Sequence, residues 1–261
     1  MKFQFKTFLS SVAKHAGRVH MKYFEKTHRV SRKFRAGIVT EADTEAERTI
    51  LRHIRKAYPK SSIITEESGR FAGNELTWII DPLDGTTNYA HSFPWFCVSI
   101  GVWRDGKPLA GVIYNPVYRE LFFAEKDKGA YFNGKKIAVS ATGQMRDALF
   151  GTGFYYSQGR RMGVELEIFR ELNEVALGVR RPGSAALDLA YVACGRYDGF
   201  WERGLSPWDV AAGWILVEEA GGKVSDYAGG PARIDGREIV VSNGRLHRSL
   251  VFHIQKAQRS A

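Results

Sequence analysis

Two aspartates three residues apart, Asp81 and Asp84, stand in the string Trp78-Ile-Ile-Asp81-Pro82-Leu83-Asp84-Gly85-Thr86-Thr87-Asn88. An apolar run leads into them, Pro82 fixes one bend, and Gly85 permits close approach of the backbone. The stretch from Gly85 to Asn88 has the character of a helix start, whose unpaired N–H groups favour an anion. Carboxylates and phosphate-ready amides side by side would repel a phosphate dianion unless a divalent cation lay between them. The segment therefore reads as a hard-metal site that also cradles a phosphate. One turn supplies too few oxygens for such a site, and further acids are available: Glu66 and Glu67 after Ile63-Ile64, Asp209 in Pro207-Trp208-Asp209-Val210-Ala211-Ala212-Gly213, and Asp43 in Val39-Thr40-Glu41-Ala42-Asp43. Each has a plainer reading in isolation. Asp81 and Asp84 could cap a turn and a helix, Glu66-Glu67 could be a solvated loop, Asp209 could complement a helix dipole, and Asp43 could be a helix cap.

The elements that must position these groups can be read from periodicity. Phe5, Leu9, Val12, Ala16, Val19 and Tyr23 recur at helical spacing, predicting a long amphipathic helix. A second helix is expected to start near Thr44, with Thr44 to Glu47 as a capping box, and to stop before Pro59. Short strands are expected at Ser62–Thr65 and Thr77–Ile80, each running directly into acidic residues. From Phe96 to Ile137, apolar runs broken by Asp105-Gly106, Asn115-Pro116 and Asn133-Gly134 predict an antiparallel meander. Beyond Gly143, helical patterns at Val164–Ala176, Ala185–Cys194, Trp208–Ala220 and Leu246–Gln258 alternate with strands at Val179–Arg181, Gly199–Trp201, Gly222–Ser225 and Glu238–Ser242. This predicts an α+β first half (residues 1–142) and an α/β second half (143–261), packed as one body without a low-complexity linker.

The order of the chemical pieces, Val39-Thr-Glu-Ala-Asp43, Ile64-Thr-Glu66-Glu-Ser, Asp81-Pro-Leu-Asp-Gly-Thr86-Thr-Asn and Trp208-Asp209-Val-Ala-Ala-Gly213, resembles the inositol monophosphatase family. These are magnesium-dependent, lithium-sensitive phosphatases, and the group also includes fructose-1,6-bisphosphatases and nucleotide bisphosphate phosphatases. The resemblance covers nearly the whole chain. Two stretches, Arg181-Pro-Gly183-Ser-Ala-Ala-Leu-Asp-Leu-Ala-Tyr-Val-Ala-Cys-Gly-Arg196 and Asp198-Gly-Phe-Trp-Glu202, look particularly like bacterial inositol-1-monophosphatases.

The resemblance implies an alternating α-β-α-β-α sandwich of the sugar phosphatase type and hydrolysis of myo-inositol 1-phosphate or a similar polyol phosphate. It implies two to three Mg2+ ions. Glu66, Asp81 and the carbonyl of Leu83 match a first metal site, Asp81, Asp84 and Asp209 a second, and a weaker third shares Glu66. Thr86 and Asp43 match the pair that positions the attacking water. The amides of Gly85 and Thr86 would hold phosphate oxygens, while Gly183, Ser184, Ala185 and Glu202 would surround the hydroxyl-bearing leaving group. Family members are commonly dimers. One departure stands at Gly37, where the family often carries an aspartate in a front loop that closes over the third metal; here Arg32, Lys33 and Arg35 precede it.

The whole chain has 261 residues, 38 Lys and Arg against 28 Asp and Glu, and a formal charge of +10. That surplus favours anionic partners and leaves open a second role in binding RNA or a transcription partner, with basic clusters at Arg29 to Arg35 and Arg160-Arg161 as candidates. Cys97 and Cys194 could form at most one bridge, so the expected home is a reducing cytoplasm. The basic start lacks the form of a secretory signal, and the apolar run Trp95 to Trp103 is far too short to span a bilayer.

Overall fold

A computed structural model of the chain describes residues 5–26, 30–32, 38–154, 160–235 and 237–260. In chain order the elements are α1 (Phe5–Tyr23), β1 (Val30–Arg32), β2 (Ile38–Thr40), α2 (Glu41–Ala57), β3 (Ser62–Thr65), β4 (Gly69–Phe71), β5 (Thr77–Asp84), α3 (Thr86–Ala90), β6 (Cys97–Arg104), β7 (Lys107–Asn115), β8 (Glu120–Glu125), β9 (Gly129–Phe132) and β10 (Lys135–Ile137). Then come β11 (Leu149–Thr152), α4 (Arg160–Val175), β12 (Gly178–Arg180), α5 (Ala185–Ala193), β13 (Gly199–Arg203), α6 (Pro207–Glu219), β14 (Lys223–Ser225), β15 (Glu238–Ser242) and α7 (His247–Ser260).

Five layers result. The large sheet has eight strands in the order β10-β9-β8-β7-β6-β5-β3-β4, and the small one five in the order β12-β11-β13-β15-β14. One face of the large sheet, carrying Trp78, Ile80, Val98, Ile100, Val112 and Phe123, packs on α1 and α2. Its other face, with Cys97, Ile113 and Phe122, packs on α5 and α6, which also cover Phe200, Ile239 and Val241 of the small sheet. The far side of the small sheet is closed by α4 and α7. Burial on both faces is why β5 to β8 read as almost continuous apolar runs rather than as clean alternation. The order of layers is the expected α-β-α-β-α sandwich.

The middle helix layer sits unusually close to the large sheet. A Cβ on Gly101 would lie 2.8 Å from Ala211 Cβ, and one on Gly111 would lie 2.8 Å from the Ala212 carbonyl oxygen. On its other side a Cβ at Gly213 would lie 2.5 Å from Leu189 Cβ of α5. Small residues thus set the seat of α6, and with it the position of Asp209.

Several expectations are corrected. The second helix starts at Glu41, not near Thr44: Thr40 is the N-cap, and Asp43, not Glu47, completes the capping box. Thr40 wins because β2 delivers it in extended conformation and the short Asp43 side chain reaches back to its amide at 2.8 Å. The strand expected to stop at Ile80 continues to Asp84. Strands β1, β2, β4 and β11 had no clear period because they are only three or four residues long. Gly37, Lys33, Arg35 and Arg29 lie outside the described residues, as do the side chains of Arg160 and Arg161.

Candidate active site

Strand β5 pairs with β6 so that Asp81 faces Ser99 and Asp84 faces Cys97, three steps on one strand against two on the other. That extra residue is a β-bulge. In a regular strand, residues three apart point to opposite faces; the bulge turns Asp84 back to the face that Asp81 occupies, the one covered by α5 and α6. Pro82, which has no N–H to give a ladder, is suited to the irregular position. The buried His20 hydrogen-bonds the Pro82 carbonyl at 2.8 Å. Burial lowers its pKa to about 4, so the ring is neutral and Nε2–H donates. Leu83, buried with Phe24, Tyr89 and Phe96, anchors the bulge from the opposite side.

Asp209 reaches the same place from the other half of the chain. It is the N3 residue of α6, where it accepts from the Ser206 amide at 2.6 Å in a capping box. The plainer reading, an acid in the first turn of a helix, describes its place, and the same carboxylate also joins the cluster. Ligand atoms of Asp81, Asp84 and Asp209 all lie within 4.8 Å of one another. Burial above all, then the charges of Glu66, Asp84 and Asp209, pushes the Asp81 carboxyl well above the usual range. Burial and the Asp84 charge do the same to Asp209. Asp84 is raised to about 6 by burial, against the pull of hydrogen bonds from Ser184 (2.5 Å) and the Ala186 amide (2.8 Å).

Glu66, just past β3, charges this cluster from the side: it raises Asp81, Asp84, Asp209 and Asp43 alike. Among the described residues, no lysine, arginine or histidine forms an ion pair with Asp81, Asp84 or Asp209. Converging buried carboxylates that raise one another's pKa need a counter-charge once all are ionised. A set of hard oxygen donors without sulfur or imidazole fits a hard divalent cation.

Asp43 and Thr86 meet beside the cluster. The Thr86 hydroxyl lies 3.1 Å from Asp43 Oδ1 and 2.9 Å from the Leu83 carbonyl, two acceptors for its one proton. Asp43 is fully buried, and its Oδ2 accepts from the Thr40 amide and hydroxyl. Burial raises its pKa to about 6. Gly85, at φ +90°, adopts the left-handed conformation before α3, and a Cβ there would lie 2.8 Å from the Trp95 carbonyl.

A cleft adjoins the cluster, and its walls include Asp84, Gly183, Ser184, Ala185, Glu202 and Asp209. Asn88 ties the signature turn to this wall by donating to the Trp95 and Pro182 carbonyls at 2.8 and 2.9 Å. Glu202 is partly buried in the cleft; burial and Asp209 push its pKa well up, with Arg181 pulling the other way. The structure thus gathers Asp81, Asp84 and Asp209 beside one cleft, with the Asp43–Thr86 pair next to them. Sequence reasoning missed Asp188, which also lines the cleft and whose Oδ1 has no hydrogen-bond partner among the described residues. A lone acid in the otherwise apolar helix Ala-Ala-Leu-Asp-Leu-Ala-Tyr-Val-Ala was the available signal. It also missed the thiol of Cys97, free and buried 3.8 Å from Asp84 Oδ2.

Comparison with known proteins gives the same picture. An inositol-1-monophosphatase of Synechocystis sp. is 46% identical over 228 residues, covering 86% of this chain and 79% of that protein. The Nus factor SuhB of Pseudomonas aeruginosa is 45% identical, covering 83% of this chain and 82% of that one. The solved inositol monophosphatase of Anabaena (Nostoc) sp. PCC 7120 superposes with a TM-score of 0.88 at 45% identity, covering 97% of this chain and 95% of its own. A model of the inositol monophosphatase family matches residues 2–259, and with the bulged Asp81–Asp84 pair facing Asp209 the chain belongs to that family of phosphoric monoester hydrolases.

Proposed function

We propose that the protein is a Mg2+-dependent phosphatase that hydrolyses myo-inositol 1-phosphate or a similar small polyol phosphate. The observation that carries the reading is the convergence of Asp81, Asp84 and Asp209 within 4.8 Å without a basic partner among the described residues. Glu66, Asp81, the Leu83 carbonyl, Asp84 and Asp209 would hold the cations. Bound Mg2+ supplies Lewis acidity, lowering the pKa of a water and neutralising charge on the phosphoryl group. Asp43, a carboxylate above about pH 6, accepts a proton through the Thr86 hydroxyl, which can shift its own proton between Asp43 and the Leu83 carbonyl. The amides of Gly85 and Thr86 hold phosphate oxygens, and Glu202, with the wall Gly183, Ser184 and Ala185, accepts from the hydroxyls of the leaving alcohol. Residues 1–142 and 143–261 act as halves of one catalytic body, the first supplying Glu66, Asp81 and Asp84, the second Asp209 and Glu202.

A substrate panel with purified protein and Mg2+ tests the reading. Myo-inositol 1-phosphate is expected to outrun fructose 1,6-bisphosphate and nucleotide bisphosphates, with Li+ inhibiting and EDTA abolishing turnover; a strong preference for a nucleotide bisphosphate would overturn it. Asp84→Asn is expected to lower kcat by at least about 1,000-fold while the protein stays folded.

A second role rests on the 45% identity to a protein named Nus factor SuhB together with the formal charge of +10. Under this reading the chain also meets a transcription partner or RNA, as a homodimer in a cytoplasm. Steeply salt-dependent RNA binding is the expected result, and no binding near physiological salt would sink that arm.

A further inference from the structure

Helix α2 carries two buried acids four residues apart, Asp43 and Glu47, which therefore share one face of the helix. Asp43 meets Thr86. Glu47 meets the turn that follows β3: its Oε2 accepts from the Thr65 hydroxyl at 2.7 Å, the Glu67 amide at 3.1 Å and the Ser68 amide at 3.3 Å, and its Oε1 accepts from the Ser68 hydroxyl. These donors come from the residues on both sides of Glu66. Glu47 is only 3% exposed and, among the described residues, has no basic ion-pair partner. A buried acid with such a shell is costly to maintain where alanine would serve packing, as it does at Ala42 and Ala46 of the same helix.

We propose that Glu47 is a positioning residue for the cation site: it clamps the 65–68 turn so that Glu66 is presented at a fixed distance from Asp81 and Asp84. Helix α2 then frames both functions, one carboxylate orienting a ligand loop and the other, a turn earlier, orienting the Thr86 hydroxyl. Ligand loops held by such outer hydrogen bonds typically lose about 10- to 100-fold in metal affinity when the bonds are removed. The inference rests on the reading of the acidic cluster as a metal centre.

The experiment titrates Mn2+ and Mg2+ alone, by calorimetry, into the chelator-stripped full chain as wild type, E47A, E47Q and the double variant T65V/S68A, with thermal unfolding of each measured in EDTA. E47A is expected to weaken cation binding about 10- to 100-fold, and E47Q less, because its amide oxygen still accepts. T65V/S68A, which keeps the charge and removes two donors, is expected to weaken it at least about threefold, with kcat for all recovering toward wild type at saturating metal. If E47A does not fold, E47Q and T65V/S68A carry the test. Wild-type affinity in both, or a loss in E47Q alone that would signal only a distant charge, overturns the proposal. A wild type that binds neither cation overturns the metal reading and this one with it, whereas a binding wild type with unchanged variants overturns only this one.

Discussion

A methyl group on Gly153 would stand 2.1 Å from Glu202 Oε2 and 2.3 Å from its Cδ, so the glycine leaves the space in which that carboxylate lies. Glycine is needed here for room, not for a backbone angle. Gly153→Ala is therefore expected to displace the Glu202 head and to raise KM for myo-inositol 1-phosphate about tenfold, roughly 1.4 kcal/mol. Turnover of p-nitrophenyl phosphate, which has no hydroxyls to meet Glu202, should change by less than about twofold. Equal effects on both substrates would show that Glu202 does not recognise the alcohol. At this scale the site was legible where chemistry is contiguous in the chain: Asp81 to Asn88 holds two carboxylates, a left-handed glycine and a hydroxyl in one string. It was illegible where partners are distant. Glu47 bonds residues 18 to 21 positions away, and Asp188 owes its raised pKa first to burial and then to Glu202 and Asp84, contacts that only the folded chain creates.

Among the elements, α2 shows how two equally good local signals are resolved. Thr40-x-x-Asp43 and Thr44-x-x-Glu47 both fit a helix start. Propensity cannot choose between them, but tertiary structure does: Thr40 is buried at the end of β2, while Thr44 is exposed on the first turns of the helix. Thr40→Ala should cost about 1 to 2 kcal/mol in denaturant unfolding, and Thr44→Ala less than about 0.5 kcal/mol. Comparable losses would mean that the helix starts where the second signal puts it. The helix expected at Trp208–Ala220 is found one residue earlier, at Pro207–Glu219, whereas the one expected at Val164–Ala176 starts four residues sooner, at Arg160. The bulge in β5 was not, because a strand period says nothing of an extra residue whose need arises from the ladder with β6.

For the whole molecule, acid and base pull stability in opposite directions. His20 and His247 are held neutral in the fold, each with a pKa lowered to about 4 chiefly by burial. As pH falls below the unfolded value near 6.5, the unfolded chain takes up protons first, and stability drops until about pH 4. The carboxylate cluster has the reverse sign. Its raised pKa values contribute stability at low pH that is lost as pH rises through about 6 for Asp43 and Asp84, when the charges must coexist. A divalent cation relieves that repulsion only once the protons have left. Saturating Mg2+ or Mn2+ should thus raise Tm by about 5 to 10 °C over EDTA at pH 7.5 and by much less at pH 5. A metal-induced shift independent of pH would contradict the assignment of Asp81, Asp84 and Asp209 as the binding groups.

The seat of α6 on Gly101 and Gly111 ties the acidic cluster to the closing of the core. Glu66, Asp81 and Asp84 all precede β10 in the chain, and the apolar faces of β6 and β7 beside them are covered by a helix from beyond it. The helix that covers those faces is the one that delivers Asp209. One helix thus both closes the core and completes the cluster, so loosening its seat is expected to weaken the two together.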